Sequence, residues 1–234
     1  MASTPVPTTE ASGGYRWYVL GLLTLTSAFS VADRLVFGIL VEDIKAEFAL
    51  SDFELGLLGG AAFSLVYVLA GFPAARLADR STRKNIVASA ISFWSLMTAA
   101  CGTATGFWTL FAARTGVGVG EGCSGPSSQS LVADFFARHE LAKAMGFLTL
   151  GSTVGTAAGL VFGGQLAEMF NWRWAFILMG LPGLLLGLVI YLTVREPQRG
   201  RYAPAGTDMT PRPLGRTIKS LVTHRVFMGL ALGW

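Results

Sequence analysis

Four ionisable side chains stand where water is scarce. Asp33 and Arg34 interrupt an otherwise apolar run over 17–41, and Arg114 and Glu121 lie in a second run over 107–132. In hydrocarbon a charge is costly unless it is paired or hydrated, so charges in such runs are functional by default. Carboxylates there can take up and release protons, and guanidinium groups can hold anions. Arg114 and Glu121 are seven residues apart, which is two helical turns, so they share one face. Counted at about 1.5 Å per residue, Asp33 lies about 10 Å below the outer end of its run and Arg114 lies at the same depth. Glu121 is about 10 Å further in, near the midplane. Asp33 and Glu121 are therefore the candidate proton-coupling groups, and Arg34 and Arg114 the candidate substrate-binding cations. Phe29, Phe37, Phe63 and Tyr67 are candidates for an apolar wall beside them. A static Asp33–Arg114 ion pair is the simpler alternative.

Other chemistry finds little support. No nucleophile–base set and no metal-ligand cluster is visible, and an enzyme is not expected. His139 and His224 both lie in segments expected to be cytoplasmic. Cys101 and Cys123 lie inside apolar runs, which argues against a disulfide framework or a zinc site. Gly120-Glu121-Gly122-Cys123-Ser124-Gly125 formally fits a dinucleotide fingerprint, but no strand precedes it, so a cofactor is not expected. The net charge of +4 could suggest nucleic acid, yet the cations sit in loops between apolar segments, so no nucleic-acid partner is expected.

The elements that must position these side chains are membrane helices. Of the 234 residues, 52% are hydrophobic and 14% charged. Soluble domains carry about 25% charged residues, so much of this chain does not face water. A bilayer core needs about 20 apolar residues per helix. Six such segments occur, at 17–41, 55–75, 84–105, 107–132, 144–167 and 174–194. The third and fourth are divided by the turn-forming Gly102-Thr103-Ala104-Thr105-Gly106. With the N-terminus placed inside, fourteen Lys and Arg fall on the inner side and two, Lys45 and Arg173, on the outer. That asymmetry predicts a cytoplasmic N-terminus and an inner-membrane protein. The first outer loop is acidic, with Glu42, Asp43, Glu47, Asp52 and Glu54. Residues 1–16 read as a disordered cytoplasmic tail, 17–194 as a six-helix bundle and 195–220 as a basic, proline-containing cytoplasmic linker. Residues 221–234 turn apolar again and read as the beginning of a seventh membrane helix in a longer chain; a short interfacial segment is the alternative.

Local motifs narrow this further. The loop after the second segment carries Leu77-Ala78-Asp79-Arg80 and Arg83-Lys84, with Ala75 and Thr82 at two positions where glycine would complete G-x-L-A-D-R-x-G-R-K. It resembles the signature loop of the major facilitator superfamily, which implies a conformational latch made by Asp79, Arg80 and Arg83. Arg114 with Gly118 and Gly120 resembles the same superfamily's fourth-helix motif. Gly151, Gly155, Gly159 and Gly163 form a ridge at spacing four, which predicts tight helix packing. Thr156 stands where the superfamily's antiporter signature has proline, against obligate exchange.

The span from 29 to 200 resembles the Spinster family within that superfamily. The resemblance rests on Ala32-Asp33-Arg34, on Leu50-Ser51-Asp52-Phe53-Glu54-Leu55-Gly56, and on Phe93-Trp94-Ser95. Ala113-Arg114 with Gly118-Val119-Gly120-Glu121, then Trp172-Arg173-Trp174-Ala175-Phe176 and Arg195-Glu196-Pro197, complete it. It implies an all-α membrane protein: the six-helix N-terminal bundle of a twelve-helix transporter, partnered by a C-terminal bundle of the same longer chain. It also implies alternating access, proton linkage and a lysophospholipid or sphingolipid-like anion as substrate. A proton symporter of small organic anions is the second reading. A non-transporting membrane scaffold is the third, and it leaves four intramembrane charges without purpose.

Overall fold

The computed structural model of the chain describes residues 13–203, together with 223, 228 and 229. Tail residues 1–12 and nearly all of the expected linker end and seventh helix lie outside the described residues. The remainder is helical. Six long helices follow one another: α1 (Gly13–Phe48), α2 (Asp52–Arg80), α3 (Arg83–Cys101), α4 (Phe107–Phe135), α5 (Arg138–Met169) and α6 (Trp172–Thr193). Each corresponds to one of the six predicted segments, extended by polar turns that apolarity could not mark. Four of them, α1, α2, α5 and α6, are long and apolar enough by themselves to cross a membrane.

Helix starts are set by ordinary caps. Ser51 opens α2 with a capping box, its hydroxyl accepting from the Glu54 amide while the Glu54 carboxylate accepts from the Ser51 amide. The Asn171 side chain accepts from the Trp174 amide at the start of α6. One turn of α2, Leu57–Ala61, is π-helical. It places Gly59 against the Phe37 ring, where a Cβ would stand 2.7 Å from the ring.

Glycine spacing decides which helices meet. The ridge on α5 packs on α1: side chains at Gly151 and Gly155 would strike the backbone carbonyls of Thr24 and Ala28, and one at Gly159 would meet Ala32. The ridge is therefore a packing device, as its spacing suggests, and it holds α1 from Thr24 to Ile39, across the level of Asp33. In α4 the glycines alternate in purpose. Gly116 and Gly120 face Met97 and Trp94 of α3, whereas Gly118 and Gly122 face Phe63 and Tyr67 of α2. Positions two apart point to opposite sides of a helix, and positions four apart to the same side. The run from Gly116 to Gly122 thus lets α4 approach two neighbours at once, and it supplies the first two glycines of the sequence that formally fits a dinucleotide fingerprint. Gly180, Gly183 and Gly187 seat α6 on α3 in the same way.

Gly155→Leu is expected to separate α1 from α5, because the side chain would occupy space held by the Ala28 backbone. Overpacking of this kind costs about 1–3 kcal/mol or more, so the melting midpoint of the purified protein should fall by about 5 °C or more. Gly146→Ala, which has open space around it, should melt like the parent.

The core forms two apolar clusters. One holds Leu20, Leu23, Val87, Trp94, Leu131 and Phe135 at the end of the bundle where α1 begins; the other holds Val36, Leu40, Leu110, Trp172 and Phe176 at the opposite end. The ionised layer lies between them.

Candidate functional site

The ionised layer is a pair of crossed ion pairs between α1 and α4. Neighbouring residues on a helix point about 100° apart, so Asp33 and Arg34 cannot serve one partner. Asp33 Oδ2 meets Arg114 Nη1 at 3.2 Å. Arg34 reaches back along α1, the direction helical side chains lean, and donates from Nε at 2.7 Å and Nη2 at 2.5 Å to Glu121 Oε2. Ser30, one turn earlier on the same face, donates to that oxygen at 2.8 Å. The two-turn spacing of Arg114 and Glu121 matches the reach of the two α1 side chains.

Burial is uneven across the layer. Asp33, Arg114 and Glu121 are 4%, 2% and 1% exposed. The Arg34 side chain is 39% exposed. Three polar atoms in the layer, Asp33 Oδ1, Glu121 Oε1 and Arg114 Nε, are buried without a hydrogen-bond partner, and so is the hydroxyl of Thr98 on α3. Buried polar atoms are nearly always satisfied, so this concentration singles out the layer as a candidate site.

Aromatic rings insulate the cations. The Arg114 guanidinium carbon lies 4.3 Å from the Phe37 ring centre and 5.1 Å from that of Phe63. Arg34 lies 5.1 Å from Phe63 and 4.7 Å from Tyr67, and those two rings stack at 6.3 Å. Three of the four predicted wall residues therefore gather at the layer. Phe37 and Phe63 are almost fully buried against the guanidinium groups instead of facing open space. Phe29 stays apart and packs on the apolar cluster nearer the start of α1.

The α2–α3 loop divides the three residues expected to form a latch. Arg83 is 2% exposed and binds Asp134 at 2.5 Å, Glu196 at 2.8 Å and the Ser130 carbonyl at 3.1 Å. Asp79 and Arg80 are exposed. Arg199 donates to the carbonyls of Ala78, Asp79 and Ser81, so it caps the end of α2 where helix carbonyls lack partners. Gly200 N donates to Asp134 Oδ1 at 3.0 Å. Sequence reasoning missed Asp134, Glu196, Arg199 and Ser30. A usable signal existed for Asp134: an acid at the end of α4 lies at the membrane level of the cationic loop.

A second clamp closes the acidic end. Arg173 donates to Glu47 at 2.5 Å and to the carbonyls of Gly102 and Ala104, and Trp172 Nε1 donates to Glu47 at 2.5 Å. These donors hold the Glu47 carboxyl below its ordinary value of 4.5, the Arg173 hydrogen bond most strongly. A depressed value means the clamp contributes fully above pH 4.5 and is lost as pH falls through the lower value. Trp172 fluorescence is therefore expected to change on acidification below about pH 4.5, and Glu47→Gln should remove that titration.

The sequence from 22 to 234 matches the family model of the Major Facilitator Superfamily. The chain belongs to the major facilitator superfamily. Within it the chain is Spinster-like. It superposes on a bacterial homolog of the human lysosomal transporter Spinster, in an inward-facing and unoccupied conformation, with a TM-score of 0.81. That match has 33% identity and covers 95% of this chain and 52% of the other. An MFS-type efflux pump of Mycolicibacterium smegmatis is 32% identical over 83% of this chain and 45% of the relative. A D-galactonate transporter of Escherichia coli is 31% identical over 97% of this chain and 57% of the relative. The chain spans about half the length of the relatives it matches. Superfamily membership makes it an integral membrane protein and fits the six helices to one half of the superfamily fold.

Proposed function

We propose that the bundle is the N-terminal half of a secondary transporter that works by alternating access, linked to protons, and moves a lysophospholipid-like amphipathic anion. The observation that carries this reading is the asymmetry of the ionised layer. Arg34 is the one of its two cations with a substantially exposed side chain, and it lies over two aromatic rings while bound to an enclosed carboxylate. A guanidinium on an aromatic platform suits an anionic headgroup joined to an apolar body.

Binding and protonation are linked through Glu121. An anion arriving at Arg34 competes with Glu121 for the same donors. A carboxylate deprived of its cation in a dry site favours the protonated form. Substrate and proton therefore load together, and release of one frees the other. This moves the anion site from Arg114, the other cation the sequence offered, to Arg34, because Arg114 is sealed behind Phe37 and Phe63. Asp33 and Arg114 then form the fixed pair that keeps α1 and α4 in register.

A second six-helix bundle of the same longer chain would complete the cavity. In this bundle α2 and α5 bury little of their apolar surface, and Leu65, Leu69, Phe72, Val154, Leu160 and Phe162 are exposed. Those faces are where that second bundle and lipid would lie.

Small organic anions are the second reading, favoured by the resemblance to a D-galactonate transporter. Proteoliposomes of the intact protein under an imposed pH gradient separate the two. Accumulation of a lysophospholipid but not of D-galactonate supports the first reading. The reverse supports the second, and accumulation of neither overturns both.

A further inference from the structure

Outside the ionised layer, the feature with chemistry to spare is a groove of about 500 Å³ between α3 and α6, at the end of the bundle that carries the α2–α3 loop. Its walls include Ser81, Thr82, Asn85, Ser89 and Ser92, with Tyr191 opposite. Gly187 shapes its deep end: the Ser92 hydroxyl occupies the place a side chain there would need. From the first residue of α3 to Ser92 the groove descends about 13 Å along the helix.

The surroundings say what could occupy it. Leu188, Tyr191 and Leu192 of α6 and Phe93 and Leu96 of α3 are exposed large apolar residues flanking the groove, a surface suited to acyl chains. Ser89 donates to the Ile86 carbonyl, while the Asn85 amide and the Ser92 hydroxyl open onto a surface where hydrocarbon offers a polar group no partner, so the groove favours a polar occupant that arrives with the lipid. Tyr191 sits where aromatic residues mark the headgroup level. Lys84 Nζ donates to the Tyr191 carbonyl at 3.3 Å and lies 5.7 Å from its ring centre. An ammonium has three donors, which leaves two for an anion. The neighbouring Glu196 carboxylate is already engaged by Arg83 and by the Lys84 amide.

We propose that this groove binds the phosphate headgroup of a bilayer glycerophospholipid, with Lys84 and Asn85 on the phosphate and the acyl chains laid along Leu188 and Leu192. A volume of this size holds a headgroup and its glycerol. Basic pockets between membrane helices at the cytoplasmic side are suited to anionic headgroups, so phosphatidylglycerol should be preferred to phosphatidylcholine. The site is separate from the ionised layer and does not depend on what the protein transports.

The test is native mass spectrometry of the intact protein, stripped of lipid and titrated with phosphatidylglycerol, phosphatidylcholine or inorganic phosphate. Phosphatidylglycerol should be retained in preference to phosphatidylcholine. Lys84→Gln should weaken retention about tenfold, the loss of one charge-assisted contact. Ser89→Trp should abolish it by filling the groove, and because Ser89 is exposed the core is undisturbed. Lys143→Gln, which removes a cation lying against Trp17 on another face, should leave it unchanged. The proposal is overturned if phosphatidylglycerol binding survives both groove substitutions, or if inorganic phosphate displaces the lipid at equal concentration. It is also overturned if a photoreactive group attached at Ser89→Cys cross-links to protein and not to lipid, since the second half of the transporter would then cover the groove.

Discussion

Glu121→Gln is expected to abolish accumulation driven by a pH gradient while downhill exchange persists. Glu121 is enclosed, and all of its hydrogen bonds converge on one oxygen: Ser30 and two donors of Arg34 meet Oε2, while Oε1 has none. The glutamine carbonyl can still accept from Arg34, so the local geometry survives. What is lost is the charge that competes with substrate and the site that carries the proton. Gradient-driven uptake in proteoliposomes should fall to background, whereas exchange across the same vesicles should stay within about tenfold of the parent. Asp33→Asn serves as the comparison, since its carboxylate is paired with a sealed arginine. If Glu121→Gln and Asp33→Asn both accumulate substrate like the parent, neither carboxylate carries the coupling proton and the mechanism is wrong.

The legible parts of this protein were those written in the strongest physics. Exclusion of charge from hydrocarbon marks six segments in the sequence, and the bundle has a helix at each. The ends differ because polar turns continue a helix past its apolar stretch: α5 begins at Arg138, six residues before the apolar run at 144. The Asp33–Arg114 pair followed from equal depth on two helices. The Arg34–Glu121 pair did not, because depth alone places them apart. It depends on the backward lean of a long side chain and on where α1 and α4 cross, which periodicity does not encode. The Arg83 network was half visible. The cations of the loop were evident, but their partners Asp134 and Glu196 lie 51 and 113 residues away. Only the folded bundle brings those distances to contact.

The two arginines of the layer should fail in different ways, and this contrast tests the reassignment of the anion site. Arg114 is 2% exposed and Asp33 is 4% exposed. Arg114→Ala leaves a buried carboxylate without its cation, a change that costs about 3–5 kcal/mol when one member of a buried pair is removed. For a domain of this size that corresponds to a melting shift of roughly 10 °C. Removing both charges is far less harmful, so Asp33→Asn combined with Arg114→Gln should recover most of the lost stability. Arg34→Ala also strands an enclosed carboxylate, but Glu121 can take up a proton once its cation is gone, so the melting midpoint should fall less than for Arg114→Ala. Its main effect appears in binding: substrate affinity should fall tenfold or more, because the charge-assisted contact to the anion is gone. Thermal unfolding of the purified protein and equilibrium binding of substrate, measured on the same preparations, read both quantities. If Arg114→Ala melts like the parent and loses affinity while Arg34→Ala binds normally, the anion sits at Arg114. The competition with Glu121 then gives way to one with Asp33, and the proton must travel on that acid.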